Sequence, residues 1–233
     1  MEKLTKKQKK ELKKLEEQQK IEVLKKQKKT KIIGIMLGII GFIALAWILI
    51  LIARDQNKIK IPSISEKDVL IGPKNAKVQI VEYADFECPA CAKYPPVIKN
   101  ILSKNKNKVS FTYRFFPLTS IHKHSRTSAQ AVYASNKQGR FMDMYSLLYE
   151  NQASWVNLDS VDELFYNYAK DLKMDVEKFK KDYKSKDTQR FVSDSENQAL
   201  NLGLTSTPTF FVNGNLVEFK TPTDLEKIIK DIL

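Results

Sequence analysis

The longest apolar run in the chain lies near its N-terminus. Residues 32–53 are 22 consecutive positions without a charged side chain. At about 1.5 Å per residue, a helix of this length crosses a hydrocarbon core about 30 Å thick. A buried core helix is the alternative, but a helix that is apolar on every side and this long is rare in soluble domains. The pattern therefore predicts one transmembrane helix.

A cleaved secretory signal is a second alternative for this run. Such signals have a short basic region, an apolar stretch of about 7–15 residues and a cleavage site of small residues. Here 31 residues precede the run, and Ala53 is followed directly by Arg54 and Asp55. We therefore expect residues 32–53 to be an uncleaved anchor in the lipid bilayer of the cell membrane.

The distribution of charge predicts the direction in which this anchor inserts. Residues 1–31 contain 13 Lys and 5 Glu, a net charge of +8, and the whole chain carries +13. The more basic flank of a membrane span stays in the cytoplasm. We therefore expect a Lys-rich cytoplasmic tail at 1–31 and an extracytoplasmic C-terminal part. Residues 55–233 carry a net charge of only +4, which argues against a nucleic-acid partner.

After a polar linker at 54–67, the pattern becomes that of a globular domain at 68–233. An apolar run at Val78–Ala84 predicts a buried strand, and alternating residues at Val109–Phe115 predict a second strand. A helical pattern lies between them at Cys91–Leu102, with Pro95-Pro96 distorting its first turns. Strand, helix and strand in this order indicate a βαβ unit with a parallel pair of strands.

A block of helical patterns separates this unit from the end of the chain. Helices are predicted at Ser125–Asn136, Phe141–Tyr149, Asp159–Lys170, Val176–Asp182 and Phe191–Leu202. After the block, Thr209–Val212 and Leu216–Phe219 form a predicted hairpin. Thr223 or Asp224 then caps a predicted final helix, Leu225–Leu233. The order implies a single α/β sheet with a helical insertion at about 118–203.

The candidate chemistry lies in the two cysteines of the chain, Cys88 and Cys91, which are separated by Pro89-Ala90. Such a pair is either a redox couple or half of a zinc site. A structural zinc site requires four ligands, and the two histidines, His122 and His124, follow far downstream without an obvious ligand turn. A thiol pair between a strand and a helix N-terminus is where a thiolate is most easily stabilised. The sequence therefore favours a redox couple.

Separated motifs carry a resemblance to a known family. They are Asp85-Phe86-Glu87-Cys88-Pro89-Ala90-Cys91, Arg114-Phe115-Phe116-Pro117-Leu118, Asn151-Gln152-Ala153-Ser154-Trp155 and Ser206-Thr207-Pro208-Thr209-Phe210-Phe211-Val212-Asn213-Gly214. In this order they resemble the DsbA-like thiol–disulfide oxidoreductases, especially the membrane-anchored forms of Gram-positive and related bacteria. The resemblance covers roughly residues 66–233. It implies a thioredoxin fold with an inserted helical domain.

The resemblance also implies roles for individual residues. Cys88 is the exposed nucleophile, Cys91 is the resolving thiol, and Pro208, after Thr207, is a cis-proline that faces them. Glu82 matches the buried acidic residue of the family, although an ordinary carboxylate at a strand edge is the alternative. The redox-active Cys88–Cys91 disulfide is the only redox group implied, without another cofactor or a metal.

The direction of the redox reaction is left open by Pro89-Ala90. Strongly oxidising family members have Pro-His there, so we expect the pKa of Cys88 to be lowered, but less than in those members. The leading hypothesis is a dithiol oxidase, and the second is a reductase or isomerase on the same fold. The third is a Cu(I) metallochaperone with His122 or His124 as an additional ligand. We otherwise predict that both histidines are surface residues.

The partners follow from this hypothesis. The substrates would be unfolded or partly folded exported proteins that carry thiols. No Gly-x-Gly-x-x-Gly motif after a strand indicates a flavin or nicotinamide site. As the resemblance to the DsbA-like family implies, electrons are expected to pass to a separate thiol oxidase in the membrane.

Overall fold

The computed structural model describes residues 6–56, 61–65 and 68–233. It contains two compact units, residues 1–58 and 59–233. The described part of the first unit is one long helix, α1 (Lys6–Gln56), which continues past the predicted start of the linker at residue 54. Within α1, Lys20–Ile50 is long and apolar enough to cross a membrane. Residues 57–60 and 66–67 of the predicted linker, and residues 1–5 of the tail, lie outside the described residues.

The second unit is built on one five-stranded sheet. Its strands are β1 (Val69–Ile71), β2 (Val78–Ala84), β3 (Val109–Phe115), β4 (Thr209–Val212) and β5 (Asn215–Val217). The spatial order is β1-β3-β2-β4-β5, with β2 and β3 parallel and the other pairs antiparallel. The parallel pair and the later hairpin meet in one sheet, as predicted. The fold is the mixed α/β thioredoxin fold that the sequence predicts.

Eight helices complete the described part of this unit. They are α2 (Pro95–Lys104), α3 (Ser125–Asn136), α4 (Phe141–Glu150), α5 (Gln152–Trp155), α6 (Asp162–Asp171), α7 (Val176–Tyr183), α8 (Lys186–Asn201) and α9 (Pro222–Ile232). Helices α3 to α8 lie between β3 and β4 in the sequence, and α3 packs against α4, α7 and α8. The insertion also brings α4 against the turn that contains Cys91.

Several predicted helix boundaries are wrong because local capping residues, which the pattern of apolar positions does not reveal, determine where the helices begin. The predicted helix at Cys91–Leu102 is a short 3-10 turn, Cys91–Lys93, followed by α2, which begins at Pro95 because proline is tolerated in the first turn. Helix α8 begins at Lys186 because the Ser185 side chain accepts the N–H of Thr188.

The last helix also begins earlier than predicted. Thr221 caps α9, and it forms a capping box with Asp224. The predicted caps, Thr223 and Asp224, therefore lie inside the helix. The second hairpin strand, predicted at Leu216–Phe219, is β5 at Asn215–Val217.

The sheet is covered by hydrophobic clusters on both sides. The larger cluster includes Ile80 and Phe111, and the smaller includes Val81 and Phe211. Because successive side chains of a strand point to opposite faces, neighbouring residues of β2 belong to different clusters. Position 82 therefore lies on the same face as Ile80, the side of the larger cluster, which also contains both cysteines.

The segment before β1 packs on the domain. Its residues Ile61 and Ile64 contact the smaller cluster. The guanidinium of buried Arg114 donates to the carbonyl of Pro62 at 3.1 Å and to the carboxylate of Asp68 at 3.0 and 3.2 Å. The described part of the predicted linker, residues 61–65, is therefore packed against the rest of the second unit.

Candidate active site

The two thiols lie at the carboxyl end of β2, where the chain turns into the helical region. The backbone N–H of Cys88 donates to the carbonyl of Asp85 at 3.1 Å, and that of Cys91 donates to the carbonyl of Cys88 at 3.1 Å. Both cysteines are free thiols in the structure. Cys88 is 7% exposed and Cys91 is 0% exposed. Only Cys88 can therefore be reached by an attacking sulfur.

The surroundings of Cys88 favour its thiolate. Its pKa is lowered from 9.0 to about 5, first by a hydrogen bond with the Cys91 thiol, against the opposing effect of burial. Backbone N–H groups of Cys91 and Ala90 add to the lowering. The contact between Cys88 and Thr207 is 3.5 Å from Sγ to the carbonyl oxygen. A carbonyl can only accept, so this contact favours the thiol form of Cys88.

The surroundings of Cys91 have the opposite effect. Burial is the main cause that raises the pKa of the Cys91 thiol well above 9.0, and the Cys88 and Glu82 charges raise it further. The two thiols of one motif are therefore made chemically different by their positions. Cys88 is suited to leave as a thiolate, and Cys91 needs a proton when it is released.

Glu82 lies in the middle of β2, opposite Tyr113 of β3 and Phe210 of β4. It is 0% exposed, and burial raises the pKa of its carboxyl to about 8, with a smaller contribution from the Cys88 charge. The Tyr145 hydroxyl donates to Oε2 at 3.5 Å, and Oε1 has no hydrogen-bond partner among the described residues. A carboxyl in this state holds a proton near neutral pH and is able to exchange it.

The buried carboxyl of Glu82 predicts a pH-dependent change of stability. The pKa of the Glu82 carboxyl rises on folding from 4.5 to about 8. Its contribution to the free energy of unfolding is therefore fully present below pH 4.5 and is lost as the pH rises through about 8. Glu82→Gln removes this titration. Between pH 4.5 and about 8, we expect the free energy of unfolding of the variant to increase relative to that of the parent, by at most about 1.4 kcal/mol per pH unit. Urea unfolding of both reduced proteins at several pH values measures the difference.

Glu163, an exposed residue of α6, provides the matched control. Glu163→Gln is expected to change the free energy of unfolding by less than about 0.5 kcal/mol at every pH. A difference between parent and Glu82→Gln that stays constant with pH would contradict the raised pKa.

The Thr207–Pro208 loop lies beside the thiols, just before β4. Its peptide bond is cis, as the resemblance implies. A cavity of about 370 Å³ adjoins the loop, and Tyr94, Ser206, Pro208 and Phe219 are among its lining residues. The cavity offers both polar and apolar surface beside Pro208. The roles of Thr207 and Pro208 in catalysis stay predictions.

The sequence predicts no role for some of the residues that contact the active-site turn. The Gln152 side-chain amide donates to the carbonyls of Phe86 at 2.8 Å and Cys88 at 3.0 Å. Gln152 belongs to one of the motifs that carry the resemblance to the DsbA-like family. Its place in that motif is the feature of the sequence that points to it. Tyr145 lies in an aromatic-rich helix and has no distinguishing signal in the sequence.

The prediction that His122 and His124 are surface residues is wrong. His124 is 5% exposed, and its Nε2 lies 2.7 Å from the carbonyl oxygen of Leu158. His122 is partly buried, with its Nδ1 2.8 Å from the carboxylate of Asp85. Across the described ranges, no group of three or more His, Cys, Asp or Glu residues is arranged to hold a metal ion.

Sequence comparison relates this chain to known proteins. The family model described as thioredoxin matches residues 64–231. The chain is 31% identical over 154 residues to the Na(+)/H(+) antiporter NhaA 1 of Salinispora arenicola, covering 66% of this chain and 23% of the antiporter. It is 35% identical over 153 residues to the probable disulfide bond formation protein D of Bacillus cereus, covering 63% of this chain and 70% of that protein.

A solved structure supports the same fold. BdbD from Bacillus subtilis, in its oxidised form, superimposes with a TM-score of 0.64 at 23% identity, covering 75% of this chain and 96% of that one. A pair of unlike thiols on this fold is chemically suited to thiol–disulfide exchange. The chain belongs to the thioredoxin family. It spans less than a quarter of the antiporter that it matches.

Proposed function

We propose that this protein is a dithiol oxidase that introduces disulfide bonds into exported proteins. The observation that carries the proposal is the difference between its two thiols. The pKa of Cys88 is lowered to about 5 by hydrogen-bond donors, and burial raises that of Cys91. A stabilised Cys88 thiolate favours the reduced enzyme over its disulfide, and an enzyme whose reduced form is stabilised is an oxidant.

The reaction starts from the Cys88–Cys91 disulfide. A substrate thiolate attacks Sγ of Cys88, the S–S bond breaks, and Cys91 leaves as a thiolate. Because the pKa of Cys91 is high, it takes up a proton, for which the buried carboxyl of Glu82 is the proposed source. A second substrate thiolate then attacks the substrate sulfur of the mixed disulfide and releases the Cys88 thiolate. The substrate loses two electrons, and the enzyme gains them.

The proposed location is the outer side of the cell membrane. The apolar segment of α1 and the basic residues that precede it support a single span with the N-terminus in the cytoplasm. An oxidising compartment is also where disulfides persist. The substrates would be unfolded or partly folded exported proteins with free thiols. A thiol oxidase in the membrane would take the two electrons from the reduced enzyme and restore its disulfide.

The reduction potential tests the direction of the reaction. Thioredoxin, a reductant, lies at about −270 mV and the strong oxidant DsbA at about −120 mV. With a Cys88 pKa of about 5, we expect a value less negative than about −200 mV. Equilibration of the full chain in detergent with reduced and oxidised glutathione, followed by alkylation of free thiols, gives this value. A potential close to that of thioredoxin would overturn the oxidase proposal in favour of a reductase.

A further inference from the structure

We propose that His122 is a positioning residue for Cys88, which it holds in place through the buried carboxylate of Asp85. This inference rests on the proposed function, because it concerns how the reactive thiol is prepared. It assigns a role to a histidine that lies outside the Cys-x-x-Cys motif and outside the cis-proline loop. The supporting observations are the hydrogen bonds around Asp85.

The carboxylate of Asp85 is fully enclosed and accepts three hydrogen bonds. Oδ1 accepts the backbone N–H of Glu87 at 2.9 Å, and Oδ2 accepts that of Leu118 at 2.8 Å. Nδ1 of His122 lies 2.8 Å from the same Oδ2, and the Asp85 side chain is 0% exposed. Because a carboxylate only accepts, Nδ1 of His122 carries the hydrogen. This imidazole is the only side-chain donor to the Asp85 carboxylate in the described part of the chain.

Asp85 also fixes the backbone from which Cys88 begins. Its carbonyl accepts the N–H of Cys88 at 3.1 Å and the hydroxyl of Tyr149 at 3.2 Å. The side chain and the main chain of one residue thus hold both ends of the Asp85–Cys88 turn. The Asp85 carboxylate is also bound by the His122 imidazole. His122 therefore affects the Asp85–Cys88 turn through Asp85.

The loop that carries His122 is attached at two further points, one at the end of β2 and one within the Asp85–Cys88 turn. The N–H of Phe116 donates to the carbonyl of Ala84 at 2.9 Å, and the N–H of His124 donates to the carboxylate of Glu87 at 2.6 Å. These two contacts use backbone donors, which remain when a side chain is replaced. Substitution of His122 therefore removes one defined donor and leaves the loop attached.

Loss of the His122 donor affects the stability of the Cys88 thiolate through the geometry of the Asp85–Cys88 turn. The Cys88 thiolate depends on hydrogen bonds from the Cys91 thiol and from nearby backbone N–H groups, and hydrogen bonds weaken steeply as their angles deteriorate. A turn that is held less firmly places Sγ less accurately against these donors. We therefore expect the thiolate to be less favoured and the enzyme to be a weaker oxidant.

The test uses three substitutions of His122 in the full chain. His122→Ala removes the donor, His122→Asn places an amide N–H close to the position of Nδ1, and His122→Gln places it near Nε2, away from Asp85. We expect the Ala and Gln variants to lower the equilibrium constant for oxidation of reduced glutathione about tenfold, which is about 30 mV. The Asn variant should restore most of this loss. Titration of the thiolate by its ultraviolet absorbance should show the same order, with higher pKa values for Ala and Gln.

His124→Gln is the matched control, because the His124 imidazole contacts the Leu158 carbonyl and not Asp85. We expect it to leave the equilibrium constant and the thiolate titration unchanged. Urea unfolding of each variant identifies any that is not folded, in which case the comparison of Asn with Gln decides. Equal behaviour of those two variants, or an unchanged equilibrium constant in His122→Ala, would overturn the inference. The potential of the parent tests the proposed function, whereas the differences between variants test this positioning role.

Discussion

Replacement of Cys88 by serine is expected to reduce disulfide transfer to the uncatalysed background, whereas replacement of Cys91 should trap the enzyme in a mixed disulfide with a protein that carries a disulfide. Cys88 is the more accessible thiol and has a pKa lowered to about 5. Without it, no sulfur is available for attack. Without Cys91, the Cys88 thiolate can still attack an existing disulfide of another protein and release one of its sulfurs as a thiolate, and the mixed disulfide that forms has no Cys91 thiol to resolve it. Incubation with an unfolded protein that already carries a disulfide, followed by non-reducing electrophoresis of alkylated samples, separates these outcomes.

The double replacement of Cys88 and Cys91 by serine is the control, and it should form no covalent adduct. Both single variants should keep the native fold, because serine has nearly the size of cysteine, although a buried hydroxyl costs about 1–3 kcal/mol at Cys91. Circular dichroism would establish that they are folded. An adduct in Cys88→Ser but not in Cys91→Ser would show that the roles of the two thiols are reversed.

Replacement of Arg114 by alanine is expected to destabilise the catalytic unit by about 3–5 kcal/mol, the usual effect of breaking a buried ion pair. Arg114 is buried, and it donates to Asp68, to the Tyr83 hydroxyl at 2.8 Å and to the carbonyl of Pro62. Its removal leaves these acceptors without their charged donor and releases the segment before β1. Denaturant unfolding, monitored by circular dichroism, measures the loss.

Arg190→Ala provides the matched control for the loss of an arginine. Its side chain is 83% exposed, and it pairs with Asp194 at 3.8 Å. Exposed pairs of this kind contribute about 0–1 kcal/mol, so the variant should be nearly as stable as the parent. Similar losses in both variants would show that the buried contacts of Arg114 have no special effect on stability.

The sheet could be predicted because its central strands have a strong pattern. Val78–Ala84 and Val109–Phe115 are strands with the predicted bounds, and both are apolar or alternating over seven residues. Strand β1 has only three residues, which is too short for alternation to be visible. The starts of α8 and α9 depend on Ser185 and Thr221, and many serines and threonines in a sequence could serve as caps.

The candidate site could be predicted only in part. The spacing of Cys88 and Cys91 is local and is visible in the sequence. The pairing of His122 with Asp85 joins residues 37 positions apart, and no periodic pattern relates them. A histidine followed by lysine resembles a surface loop in composition, so its burial depends on the tertiary fold. The same is true of Tyr145, which reaches Glu82 across 63 positions.

The packing of residues 61–65 sets a practical limit for producing the catalytic unit without its membrane segment. Ile61 and Ile64 contact the smaller hydrophobic cluster, and Pro62 accepts a hydrogen bond from Arg114. A soluble fragment therefore has to start before Ile61, although the first strand begins only at Val69. A shorter fragment would keep every strand of the sheet and would still expose apolar surface that the full chain covers.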